Sequence, residues 1–347
     1  MTDAGARIAG ITRRAASRRG LVTGTAVAAT TLAALAAWVA RRARRAEYRD
    51  PPKGTFISVD DVRLHYIERG EGPVVVLLHG NVVRLEDFMA SGLVERLAEH
   101  HRVIAFDRPG FGYSERPRDR LWTANAQASV IARALARLGV EQPIVLGHSW
   151  GTLVALALAL QDPAAVRKLV LVSGYYFPTA RLDVVLASPP AIPIIGDVLR
   201  YTVDAVLARM LLEQTVKAMF APMPVPNHFM EMLGREMLLR PSQMRANAED
   251  AAFMIPSVAS LRKRYSELRI PAVILAGDAD KAIDPDAHSR RLHGALRNSE
   301  LRIVPGVGHM LHYAVPDVLT EAVTSPEIPT LRQTVGTVPR HRALGTH

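Results

Sequence analysis

From Val74 to Val304 the chain repeats one pattern: a short continuous run of aliphatic residues, then a stretch of helix length. The runs are "VVVLL" (74–78), "VIAF" (103–106), "IVL" (144–146), "LVLV" (169–172), "AVIL" (272–275) and "LRIV" (301–304). A run without apolar–polar alternation, "VVVLL" above all, reads as a strand covered on both faces. Between them, Ala124–Leu138 sets Ile131, Leu135 and Leu138 at helical spacing. Two earlier runs, "TFISV" (55–59) and "RLHYIE" (63–68), flank the hairpin signal Asp60-Asp61. This alternation predicts an α/β fold: a mostly parallel eight-stranded sheet with helices on both faces.

The alternation pauses over about 174–270. Those residues read as helices punctuated by prolines, and they hold eight of the eleven methionines. They form a helical insertion, and the methionines suit either its own core or an adaptable apolar lid over a pocket.

Ser149 stands between two glycines, in Gly147-His148-Ser149-Trp150-Gly151, where a strand gives way to a helix. Chance alone supplies about 0.1 G-x-S-x-G matches in a chain of this length. The strand–turn–helix context gives the motif its weight, because a nucleophile elbow needs small neighbours on both sides. Serine is a poor nucleophile without a base and a group to orient that base. "ILAGDADKAIDP" (274–285) leaves a strand and offers Asp278, Asp280 and Asp284; "VPGVGHMLHY" (304–313) leaves the next and offers His309 and His312. Parallel strands bring such loops to one sheet edge. The loop His79-Gly80-Asn81 follows "VVVLL" to the same edge, so the backbone N–H groups of Asn81 and Trp150 are the natural oxyanion donors. His79 and His148 read as structural histidines at strand ends.

In this order, "LLHGN", "DRPGFGYSERP" (107–117), "LGHSWG", "LAGDADKAIDP" and "VPGVGHMLHY" resemble the landmarks of the α/β-hydrolase superfamily, from about Thr55 to Val323. The resemblance is to the branch with a serine nucleophile and a helical cap. It implies Ser149 as nucleophile, His309 as base and Asp280 as the orienting acid, and it puts Asp107 and Pro109-Gly110 in a turn bordering the site. Relatives that open epoxides or remove halides carry aspartate where this chain has Ser149. The expected function is cofactor-independent hydrolysis of an ester-like bond in an apolar small molecule, with Tyr175, Tyr176, Phe177, Phe220, Phe229 and Phe253 beside the cap methionines. The alternatives are carbon–carbon bond hydrolysis, perhydrolysis, or a ligand-binding protein that keeps the fold. Neither a cofactor nor a metal is expected: "GFGYSE" and "GVGHML" lack the third glycine of a dinucleotide loop, and "DADKAIDPD" lacks the glycine and final glutamate of a calcium loop.

The net charge of +10 is not a nucleic-acid signal, because it sits at the ends. Residues 1–50 hold ten arginines against three acidic residues, and the tail from Thr324 holds three against one. Residues 20–40, "GLVTGTAVAATTLAALAAWVA", carry no charge and as a helix would reach about 31 Å, one bilayer core. The expected organisation is a basic segment (1–19), a membrane span (20–40), a basic linker (41–53), the hydrolase domain (54–323) and a loose tail (324–347). The expected location is a membrane, by a single-pass N-terminal anchor on an unassigned face. The alternative is export after signal cleavage, since Ser17-Arg18-Arg19 resembles a twin-arginine signal.

Overall fold

The computed structural model describes residues 3–325 and 334–337, with side chains over 25–325, Asp183 excepted. β1 (Thr55–Val59) and β2 (Val62–Arg69) form a hairpin. Its turn residues Asp60 and Asp61 take left-handed backbone, φ 45° and 61°. A two-residue type I′ turn demands that geometry, and aspartate tolerates it. Then come β3 (Val74–Leu78), β4 (Arg102–Phe106), β5 (Ile144–His148), β6 (Lys168–Val172), β7 (Ala272–Gly277) and β8 (Ser299–Val304). The sheet order is β1-β2-β4-β3-β5-β6-β7-β8, and every pairing from β4–β3 onward is parallel.

The eight strands read from sequence are all present. A ninth, β9 (Thr334–Thr337), pairs parallel with β8 and corrects the expectation of a wholly loose tail. Its physical basis is backbone pairing along the open edge of β8, which has no need of an apolar run.

Both sheet faces are buried. Val76 and Leu78 point into one hydrophobic core, and their neighbours Val75 and Leu77 into the other. This is why the strand reads as an unbroken aliphatic run. Between β6 and β7 lie the helices Leu182–Ala187, Ile195–Tyr201, Val203–Phe220, Phe229–Leu233, Arg235–Leu238 and Pro241–Leu261. They carry a third core, which includes Leu212, Val216, Phe220, Phe229 and Leu233.

The N-terminal region departs most from expectation. Asp3–Arg49 is one uninterrupted helix, with no break at either edge of the 20–40 stretch, since arginine and alanine both favour helix. Among the described residues no single helix is long and apolar enough to cross a membrane. The stretch 20–40, expected to span, lies partly outside the residues so judged, because its side chains 20–24 are not described. The stretch expected to be a basic linker is instead a docking segment. Val39 and Ala46 are buried, Arg42 grips Glu236 through two hydrogen bonds of 2.9 and 3.1 Å, and Glu47 accepts from Arg240 at 2.9 Å.

Candidate active site

Ser149 follows β5 directly, and helix Gly151–Gln161 starts two residues later. Its φ is +51°, a conformation that costs a non-glycine residue about 1–2 kcal/mol. Its N–H donates to the Val172 carbonyl at 2.8 Å, which fixes the elbow against β6. Any Cβ at residue 151 would fall 2.1 Å from the Leu78 carbonyl oxygen, so glycine is required there for close approach to β3. The loop after β3 also approaches the elbow. A Cβ at residue 80 would lie 3.1 Å from Ser149 Cβ.

The loops after β7 and β8 bring Asp280 and His309 together. His309 Nδ1 lies 2.8 Å from Asp280 Oδ2. A carboxylate can only accept, so Nδ1 carries the proton and Nε2 is left as the basic nitrogen. Asp280 Oδ1 accepts from the N–H groups of Ala282 and Ile283, at 2.8 and 2.9 Å, which locks the carboxylate in place. The other two aspartates serve turns: Asp278 Oδ1 accepts from Gly306 N–H at 2.6 Å, and Asp284 Oδ1 from Asp286 N–H at 2.9 Å. His312 is turned away into the core, with Nε2 2.9 Å from Asp87 Oδ2.

Ser149 and His309 line one cavity of about 260 Å³, with Asn81, Trp150, Tyr175, Val184, Met219 and Met254 among its walls. No hydrogen bond joins Ser149 Oγ to the His309 ring. Such bonds are often long in unliganded hydrolases and close when substrate binds. The expected aromatic lining is corrected: of the six rings named from sequence, only Tyr175 faces the cavity. Phe220 and Phe229 pack in the cap's own core, Tyr176 and Phe177 belong to the main core, and Phe253 lines a separate surface groove.

Two structural residues escaped the sequence reading. Asn247, on cap helix Pro241–Leu261, accepts from Val82 N–H at 2.8 Å through Oδ1 and from Asn81 Nδ2 at 3.2 Å through its carbonyl. The cap thus holds the loop that follows β3. Arg108, in "DRPG", is fully buried and donates to Asp250 of the same cap helix at 2.6 Å. Its guanidinium lies 4.7 Å from the Trp150 ring centre, and Trp150 Nε1 donates to the Asp250 carbonyl at 3.0 Å. The elbow, the "DRPG" turn and the cap are therefore tied at one point.

A family model described as the alpha/beta hydrolase fold matches residues 73–314. The chain belongs to the α/β-hydrolase family. It is 32% identical over 133 residues to haloalkane dehalogenase 2 of Mycobacterium tuberculosis, covering 37% of this chain and 46% of that one. Over 150 residues it is 35% identical to 2-hydroxymuconate semialdehyde hydrolase of Pseudomonas sp. strain CF600, covering 42% and 53%. The matched stretches thus span about half the length of these relatives. An alpha/beta hydrolase fold protein from Burkholderia ambifaria superposes with a TM-score of 0.67 at 22% identity, over 79% of this chain and 97% of that one. That likeness shows the fold alone.

In this α/β-hydrolase, several histidines are locked neutral. Burial, helped by Arg108, pushes His79 down to about 3, and burial pushes His288 down to about 4. Burial also holds His148 well below its ordinary value, with His312 and His309 adding to it. His148 Nε2 faces the His309 carbonyl at 3.1 Å and must donate to it, so this ring helps hold the His309 backbone. Acid then acts on stability. Below the ordinary histidine value of about 6.5 the unfolded chain takes up protons that the folded one refuses, so stability falls as pH drops through that window. The thermal midpoint is expected to be lower at pH 5 than at pH 7; equal midpoints would mean that these rings protonate within the fold.

Asp87, His148 and His312 each bring one ligand atom to within 4.8 Å of the others. The carboxylate already accepts from His312 and, at 3.0 Å, from the Tyr313 hydroxyl, so the group reads as an internal hydrogen-bonded cluster. Chelation is expected to leave turnover unchanged. Loss of turnover with EDTA that added metal restores would make this trio a metal site.

Proposed function

We propose that the chain is a cofactor-independent serine hydrolase acting on an ester-like bond of an apolar small molecule. The observation that carries this reading is His309, hydrogen-bonded to Asp280, opening into the same cavity as Ser149 on its left-handed elbow. Ser149 Oγ attacks the carbonyl carbon while His309 Nε2 takes its proton. Asp280 holds the ring and offsets its charge. The oxyanion forms against the N–H groups of Asn81 and Trp150, and collapses with loss of the alcohol, which takes the proton from His309. Water then attacks the acyl-enzyme, with His309 again as base, releasing the acid and restoring Ser149. The cavity's mainly apolar walls favour an acyl chain or ring over a sugar or phosphate. Turnover of a nitrophenyl ester and labelling of Ser149 by a fluorophosphonate test the reading; a protein inert to both would be a binding protein instead.

A second reading, carbon–carbon bond hydrolysis, is favoured by the 35% identity to a semialdehyde hydrolase and by Arg181 on the cavity wall. An arginine there would suit a substrate bearing a carboxylate. Dehalogenation is not favoured: displacement of halide by serine would leave an alkyl ether, which attack at a carbonyl cannot release.

The location is proposed as a membrane, held by the N-terminal helix. The uncharged run and its flanking arginines support this. The full-length protein is expected to pellet with membranes and stay there in high salt. Release by salt would mean a purely electrostatic attachment, screened over about a Debye length. A soluble product starting near Ala37 would mean a cleaved export signal.

A further inference from the structure

Helix Leu182–Ala187 has two faces with different tasks. Val184 and Ala187 line the cavity of Ser149. Leu182, Val185 and Leu186, on the same short helix, are each more than half exposed. The exposure continues: Ile194, Ile195 and Val198, in and just before helix Ile195–Tyr201, are also more than half exposed. No charged residue occurs from Val184 to Gly196. An exposed aliphatic run of this kind, on two helices that follow each other in the chain, is rare on a free soluble domain and marks a docking site.

What covers it is indicated by its neighbour. The N-terminal helix packs against helix Ile195–Tyr201. Beyond that contact its residues 25–34 are exposed on every side, and none carries a charge. Where the helix meets the domain, Arg41, Arg44 and Arg45 are exposed. The uncharged helix thus touches one of the two aliphatic cap helices, and exposed arginines follow the uncharged stretch along the same helix. That arrangement matches a bilayer with anionic headgroups, where aliphatic side chains enter the acyl boundary and arginines stay at the phosphates.

We propose that the outer face of cap helices Leu182–Ala187 and Ile195–Tyr201 docks on an anionic bilayer, so that the cavity takes its acyl ester directly from the membrane. The substrate part of this proposal rests on the serine-hydrolase reading; the docking part does not. The helix that touches lipid is the helix that walls the cavity, which gives a bilayer-borne ester a short path to Ser149.

The chain has no cysteine, so a single one can be labelled cleanly. Full-length Leu186→Cys carrying an environment-sensitive dye is mixed with vesicles of phosphatidylglycerol and phosphatidylcholine. A blue shift, quenched by brominated acyl chains, is expected. Dye at Glu141→Cys, just before β5 and so at the sheet edge opposite the elbow, should not respond. An unshifted Leu186 dye on vesicle-bound protein overturns docking. A shift that appears without vesicles and grows with protein concentration also overturns it, in favour of a second copy of the chain. Independently, Leu186→Glu with Ile194→Glu should lower turnover of a vesicle-embedded ester at least tenfold. A dispersed short-chain nitrophenyl ester should be cleaved within about twofold of the parent rate, since neither side chain lines the cavity. Equal turnover of both substrates in this variant would overturn delivery from the membrane. Docking without hydrolysis of either ester would overturn the serine-hydrolase reading and leave the docking surface standing.

Discussion

Ser149→Ala is expected to lower kcat for an ester by at least about 10⁴-fold, with the fold unchanged. In free-energy terms that is about 5.5 kcal/mol of transition-state stabilisation. Oγ is the only atom removed. The Cβ remains, so the backbone strain at φ +51° is carried by alanine as by serine, and the elbow hydrogen bond to Val172 involves only the main chain. No side-chain partner is orphaned, because Ser149 Oγ makes no hydrogen bond to His309. The proposed oxyanion donors and the cavity walls survive, so a residual rate above that in water should persist. The measurement is steady-state turnover on the purified variant together with its melting curve. Parent-like turnover would remove Ser149 from the chemistry. Lost turnover with a collapsed melting curve would show instead that the elbow serine is structural.

How far the sequence could be read depended on the range of the forces involved. β3 was visible because Val75 and Leu77 serve one core and Val76 and Leu78 the other, leaving an aliphatic run no helix-to-loop segment would show. The hairpin at Asp60-Asp61 was visible because left-handed backbone restricts the residue types that can occupy it. The elbow was visible for a similar reason, close approach of Gly151 to β3. The cap was different. Asn247 reaches Val82 across 165 positions and Asp250 reaches Arg108 across 142, and nothing local marks either as a strut. The same blindness misplaced the aromatics: a phenylalanine that fills the cap's own core and one that faces substrate carry the same local pattern. The continuous N-terminal helix was hidden by a chemical distinction. A change from charged to uncharged residues suggests a boundary, yet arginine and alanine are both good helix formers, so composition changes while backbone conformation does not. Arg42 and Glu47, linker residues by composition, find their partners nearly two hundred positions away.

The second large effect separates three aspartates and two histidines that composition leaves equivalent. His309→Ala is expected to be as damaging as the serine change, because the alkoxide then has no proton acceptor. Asp280→Asn should cost about 10⁴-fold: an amide in that place can donate to Nδ1, which favours the tautomer whose Nε2 is already protonated and cannot act as base. Asp278→Asn and Asp284→Asn should stay within about threefold of the parent rate, since each carboxylate only accepts a turn N–H, from Gly306 and Asp286, and an amide oxygen can do the same. His312→Ala should separate stability from rate. It removes the buried partner of Asp87 and leaves that carboxylate with the Tyr313 hydroxyl, a loss of about 3 kcal/mol of stability. Its kcat, measured below its lowered melting point, should remain much closer to the parent than that of His309→Ala. The comparison is made with one ester at one pH, each variant's melting curve beside its rate. If Asp278→Asn or Asp284→Asn proved the slowest of the three aspartate variants, the hydrogen bond of 2.8 Å between Asp280 and His309 would be a structural contact, and the orienting acid would have to be sought in the loop that proved sensitive.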